Sequence, residues 1–181
     1  LHLLERPQRL VEPPGAVVDG SGEFTSLISQ NVFTDNEYGF SVARGSTATG
    51  TAKPVLENNN FVSNTILPIY LAHSAFPTYT NNTFEGYPAA NQRLGIGLGN
   101  IFFGSGTLPI VNSAAGGGGL DMPYVVQHAN WTIEDNATVT LEEGAVVKVE
   151  YRSDLVSGQR ATPYRSITVK GLLVNPGLPA Q

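Results

Sequence analysis

Three short segments of this chain can be laid over one another: Ile28-Ser-Gln-Asn31-Val-Phe33, Leu56-Glu-Asn-Asn59-Asn-Phe61 and Tyr79-Thr-Asn-Asn82-Thr-Phe84. Each reads as an apolar residue, Asn three positions later, and Phe two after that. From Phe33 to Phe61 is 28 residues and from Phe61 to Phe84 is 23, a spacing at which stacked repeats are the first fold to consider. Downstream of each Phe stands a second alternating stretch, with Phe40 and Val42, then Ile69 and Leu71, then Ile96 and Leu98. Residues two apart on a strand share a face, so each stretch turns an apolar face inward. A tight bend between two such strands suits Asn, which tolerates left-handed backbone and bonds nearby main chain. The pattern predicts an all-β chain with little or no helix, wound as a single-stranded parallel solenoid. Asn31, Asn59 and Asn82 are expected at equivalent bends, their amides turned inward as a ladder. Phe33, Phe61 and Phe84 are expected to stack as a buried aromatic column beside Ile28, Leu56 and Tyr79.

The longer pattern Ile-x-x-Asn-x-Phe-x-x-Asn resembles right-handed parallel β-helix proteins of the pectin lyase-like superfamily, and the resemblance runs over residues 26–99. From Tyr124 to Val174, the short apolar stretches Asn130–Ile133, Ala137–Gly144, Val146–Val149 and Ile167–Val174 resemble another β-helix segment of bacterial secreted or surface proteins. The resemblance implies a right-handed parallel β-helix. It implies no one activity, because that superfamily holds lyases, hydrolases, adhesins and inert scaffolds.

Residues 1–25 are expected to be irregular, because Pro7 and Pro13-Pro14-Gly15 interrupt any regular element, with Ala16–Val18 as a first strand. The β-helix is expected over residues 26–181. Residues 112–121 should form a flexible loop thrown outward around Gly116–Gly119. Thr138–Leu141 and Val146–Glu150 read as a strand pair about the Glu142-Glu143-Gly144 turn. No convincing cap is legible at either end. Open strand edges recruit further strands, so the expected partner is another copy of the chain or adjoining coils of a longer one.

Composition narrows the function classes. A net charge of −5 without Lys/Arg runs argues against nucleic acid. No apolar run approaches the roughly 20 residues of a membrane span. With no cysteine, disulfides and thiolate metal sites are unavailable. The Gly- and Asn-rich profile with 14 % charged residues is that of turn-rich β structure, and the extracellular or cell-surface location expected is what the resemblance to secreted and surface β-helix proteins implies.

Catalytic β-helices stack acidic residues from neighbouring coils on one outer face, as a Ca²⁺ site or an acid/base pair. Here the repeat aligns Asp35 with Ser63 and Gly86, Glu57 with Ser29 and Thr80, and Glu85 with Thr34 and Val62, so no two carboxylates stack. Glu134-Asp135 and Glu142-Glu143 read as solvated turns. His2, His73 and His128 lack metal-ligand spacing. Neither a metal nor a cofactor is expected. Arg44, His73 and Asn100 fall two residues past each second strand and would form a polar corner column. With Tyr38 or Tyr70 nearby, that column would suit sugar hydroxyls, although a corner is also polar simply because it is wet. Asn81, Asn130 and Asn136 each open an Asn-x-Thr sequon, a glycosylation acceptor where the source glycosylates. The function expected is a non-catalytic structural module of a secreted or surface protein, fibre- or sheath-forming or adhesive. The alternative is a carbohydrate-binding or polysaccharide-degrading β-helix protein.

Overall fold

The computed structural model describes residues 23–42, 50–87, 94–117, 119–149, 155–156, 159–160 and 165–175. Residues 1–22 of the segment expected to be irregular, with the strand expected at Ala16–Val18, lie outside them, as does Arg44; within its last residues Glu23–Phe24 is a strand rather than irregular. Apart from a 3-10 turn at Ala115–Gly117, the regular elements there are all strands.

The first stretch carries β1 (Glu23–Phe24), β2 (Leu27–Ser29), β3 (Val32–Thr34) and β4 (Tyr38–Val42). The second repeats it with β5 (Thr51–Ala52), β6 (Val55–Glu57), β7 (Asn60–Val62) and β8 (Leu67–Ala72). The third has β9 (Thr78–Thr80), β10 (Thr83–Glu85) and β11 (Ile96–Phe102), with Ala75 bridging in parallel to Ala52. Each stretch is a rung, because every strand pairs in parallel with its counterpart in the next: β2-β6-β9, β3-β7-β10 and β4-β8-β11. The register joins Phe33 to Phe61 to Phe84 and Ile28 to Leu56 to Tyr79. Parallel strands demand that the chain circle back between pairings, so the architecture is all-β and compatible with a β-helix.

The bends lie one residue from where the Asn pattern places them. Gln30, Asn58 and Asn81 hold the left-handed conformation, with φ of 59°, 53° and 51°. The Asn that follows each one has no such backbone and is free to turn its side chain inward. A second bend repeats at Asp35, Ser63 and Gly86. There a Cβ on Gly86 would collide with the Ser63 hydroxyl, so the third rung uses glycine where the others carry side chains.

Beyond the third rung the two short columns stop. The chain continues as β12 (Gly106–Leu108), then β13 (Val111–Asn112) antiparallel to β14 (Asp121–Met122). The glycine-rich stretch expected as a flexible loop is therefore the tip of a hairpin. Asn112 fastens it: its Oδ1 accepts from the N–H of Ala114 (3.1 Å) and Gly119 (2.8 Å), and its Nδ2 donates to the Gly119 carbonyl (3.1 Å).

The large sheet carries on through β15 (Tyr124–Ile133), which holds three more residues than β11 between the Leu98–Val126 and Asn100–Trp131 pairs. Next come β16 (Thr138–Leu141), β17 (Val147–Val149), β18 (Leu155–Val156), β19 (Gln159–Arg160), β20 (Ile167–Val169) and β21 (Leu172–Val174). The far edge of β15 is split, with β17 on Tyr124–Val126 and β20 on Trp131–Ile133. The expected pairing of Thr138–Leu141 with Val146–Glu150 does not occur. β16 joins β12 and β21, while β17 joins β15, because in stacked rungs consecutive strands belong to different sheets.

The core follows the inward columns. Leu56, Phe61, Ile69, Leu71, Ile96, Leu98, Tyr124, Val126 and Trp131 are all buried. The three phenylalanines stack at 4.9 Å and 5.0 Å between ring centres, tilted by 16° and 7°. Further along, Phe76, Phe102 and Trp131 meet edge to face, the arrangement ring quadrupoles prefer. Phe61 has a ring on either side, whereas Phe33 is only half-buried. Phe61→Ala should therefore cost ~3–5 kcal/mol, and Phe33→Ala clearly less. Denaturant unfolding followed by circular dichroism checks the order; equal losses at both positions would contradict the stacking argument.

Candidate functional site

The most ordered polar feature is a ladder of amides inside the stack. The backbone N–H and Nδ2 of Asn31 both donate to Asn59 Oδ1, at 3.0 and 3.1 Å. Asn59 repeats this toward Asn82 Oδ1, at 3.0 and 3.0 Å. Each Nδ2 also donates back to the preceding rung, Asn59 to the Ile28 carbonyl and Asn82 to the Leu56 carbonyl, both at 2.8 Å. Asn59 and Asn82 are buried and Asn31 is exposed.

A second ladder stands three residues past each Phe. Asn36 directs its N–H and Nδ2 at Asn64 Oδ1 (3.2 and 3.4 Å), and Asn64 Nδ2 reaches the Phe33 carbonyl (3.0 Å). On the third rung the acceptor is the hydroxyl of Tyr87, 3.3 Å from Asn64 N and 2.7 Å from its Nδ2. Asn36, Asn64 and Tyr87 were not singled out as site residues from sequence. The signal was the common offset of three from Phe33, Phe61 and Phe84, hidden at the third rung by a change from amide to phenol.

At the corner column, His73 and Asn100 each follow the paired residues Ala72 and Gly99, and both have left-handed backbone, φ 52° and 60°. Nearby, Tyr38 and Tyr70 lie 5.2 Å apart at 35°. Tyr70 covers Gly97 and Gly99, where a Cβ would overlap its ring or hydroxyl. Burial raises the Tyr70 hydroxyl pKa, and the charge of Arg165 pulls it partly back.

Among the described residues no group of three His, Asp or Glu could hold a metal. The pairings set Glu57 opposite Ser29 and Thr80, and Val62 opposite Thr34 and Glu85. Glu134-Asp135 and Glu142-Glu143 lie at turns, Glu134 partly exposed and the other three exposed, and two of these carboxylates also fasten neighbouring rungs. Glu142 Oε2 accepts the Ile110 N–H at 2.6 Å, and Glu134 pairs with Lys170 at 2.9 Å. Of the sequon residues, Asn81, Asn130 and Asn136 are exposed, and Asn130 Oδ1 accepts the Ser166 N–H at 3.2 Å. The side chain of His128 and all of His2 lie outside the described residues.

Beside the ladder's last member is a cavity of about 340 Å³, walled by Tyr79, Asn82, Val111, Asn112 and Ala114 among others. Tyr79 and Thr80 of β9 line it together with Val111 and Asn112 of β13.

Compared with protein families, curated proteins and solved structures, the chain finds no match in any of the three.

Two outcomes follow from the ladders. Tyr87→Phe removes the oxygen on which the N–H and Nδ2 of buried Asn64 converge, and should cost ~1–3 kcal/mol; unchanged thermal stability would show that the hydroxyl is not needed there. Burial also raises the pKa of Tyr79, Tyr87 and Tyr124 above the ordinary tyrosine value. Above about pH 10 the unfolded chain releases these protons while the folded one keeps them, so stability must fall as pH rises. Thermal melts between pH 8 and pH 11 should show that fall, and a flat profile would contradict it.

Proposed function

We propose that the chain is a segment of a right-handed parallel β-helix acting as a non-catalytic structural module of a secreted or cell-surface protein. The observation that carries this reading is the use made of the interior. Ladder amides and stacked rings continue from rung to rung, which stiffens the stack while leaving its outer faces free to vary. The right-handed sense follows from the near-universal handedness of parallel crossovers. The membership of the pectin lyase-like superfamily rests on the sequence pattern alone.

Association into fibres or sheaths is the mode of action that the outer rungs favour. Leu27 and Val32 in the first are 63 % and 67 % exposed, and Leu172 in the last is 54 % exposed. Among the described residues these rungs have no strand partner on their outer side; apolar residues beside such edges invite further strands, and a head-to-tail contact that does not close yields an open fibre. Sedimentation at micromolar concentration should give species larger than the 19.2 kDa monomer, growing with concentration. A stable monomer with both outer rungs protected in hydrogen exchange would refute it.

A second reading, a carbohydrate-binding surface, is favoured by the Tyr38–Tyr70 pair beside His73 and Asn100. Affinity electrophoresis through polysaccharide-containing gels tests it: retardation lost in Tyr70→Ala would support binding, and free migration would remove it.

A further inference from the structure

The inference begins from what each ladder Asn offers the rung beyond it. In the first two rungs the backbone N–H and Nδ2 of one Asn converge on a single carboxamide oxygen, at 3.0–3.1 Å. The carboxamide that accepts them also donates, its own Nδ2 reaching the carbonyl of Ile28 or Leu56, three residues before the donating Asn. Two donors and one acceptor of a rung thus hold one primary amide of the next.

Asn82 carries the same groups, and among the described residues no amide oxygen closes on them. Its Nδ2 is bonded once, to the Leu56 carbonyl, and among the described residues no acceptor meets its backbone N–H or the remaining Nδ2 hydrogen. The residue is only 4 % exposed. By register the matching carbonyl is that of Tyr79, and among the described residues β9 has no strand partner on that side. The second ladder meets the same situation differently, by placing Tyr87 Oη where the next amide oxygen would be. The first has no such substitute, because the chain turns away at Val111 into the hairpin fastened by Asn112. The space left is the cavity of about 340 Å³ beside Asn82.

We propose that this cavity is a binding site for a primary carboxamide, the oxygen accepting from the N–H and Nδ2 of Asn82 and the NH₂ donating to the Tyr79 carbonyl. Its geometry is that of the two amide positions below it, so the ligand reproduces a missing rung of the ladder. Two sources present this group, an Asn or Gln side chain of a peptide and a free small amide, and the cavity has volume for either.

The test uses the whole chain, labelled with ¹⁵N, and three probes: acetamide, N-acetylasparagine methylamide and N-acetylalanine methylamide. The asparagine probe should shift the Asn82 backbone and Nδ2 resonances in a saturable way and slow hydrogen exchange at the Asn82 N–H. Saturation at lower concentration than acetamide assigns the site to a peptide side chain; equal or tighter binding of acetamide assigns it to a free amide. The alanine probe, which has only secondary amides, should leave Asn82 unmoved. Ala114→Leu narrows the cavity without touching the ladder. It should abolish the shifts while protection of the Asn59 N–H is retained. No response at Asn82 to either primary amide, an equal response to the alanine probe, or undiminished binding in Ala114→Leu would each overturn the proposal.

Discussion

Two donors closing on one amide oxygen is the interaction on which this architecture rests. A backbone N–H at a bend inside a stack has no strand partner, and a buried unpaired N–H costs about 1–3 kcal/mol. Asn resolves this from both directions, because its oxygen takes the N–H from one rung while its NH₂ serves a carbonyl of the same rung. Without it the bend would have to face water, and the two short columns could not share an interior with Phe33, Phe61 and Phe84. The ladder therefore comes before the aromatic stack: it fixes the register at which the rings lie face to face.

The same logic explains where the repeat ends. A ladder can be closed by any well-placed oxygen, and Tyr87 provides one for Asn64. Where no oxygen arrives, the next strand has no reason to follow the column. There the chain leaves as the hairpin of β13 and β14, then rejoins the large sheet with Tyr124 and Val126 of β15. The large sheet needs no ladder because its strands pair continuously through β15, so it outlasts the short columns.

Much of the fold was legible because one period wrote itself three times. The phenylalanines, the Asn residues and the second strands at Phe40, Ile69 and Ile96 fall in the pairings that their spacing implies. What was not legible depends on conformation rather than spacing. The left-handed residue is Gln30, Asn58 or Asn81, one before the ladder Asn, and a Gln in that position gives no sign of a bend. Beyond Gly104 the spacing grows and the pattern loses its Asn, so Thr138–Leu141 and Val146–Glu150 looked like a local pair. Glu134 and Glu142 are the turn residues they read as, but the bonds they make were hidden for the same reason. Their partners, Lys170 and Ile110, are remote in sequence and become neighbours only through stacking. The cavity beside Asn82 was invisible because it is made by strand that is not there.

The split edge of β15 gives the stack an order of disassembly. Because β17 and β20 hold separate halves of that strand, and β21 holds β16, the last described strands can peel away without disturbing β17. Val169 and Leu172 are 45 % and 54 % exposed, so little burial resists the first step. Its cost comes afterwards, when Trp131, Ile133 and Val139 are stripped of cover. Under tension applied at that side the structure would open in two distinct events, the unzipping of β20 with β21 and then that of β17. The three extra residues in β15 act as the stop between them.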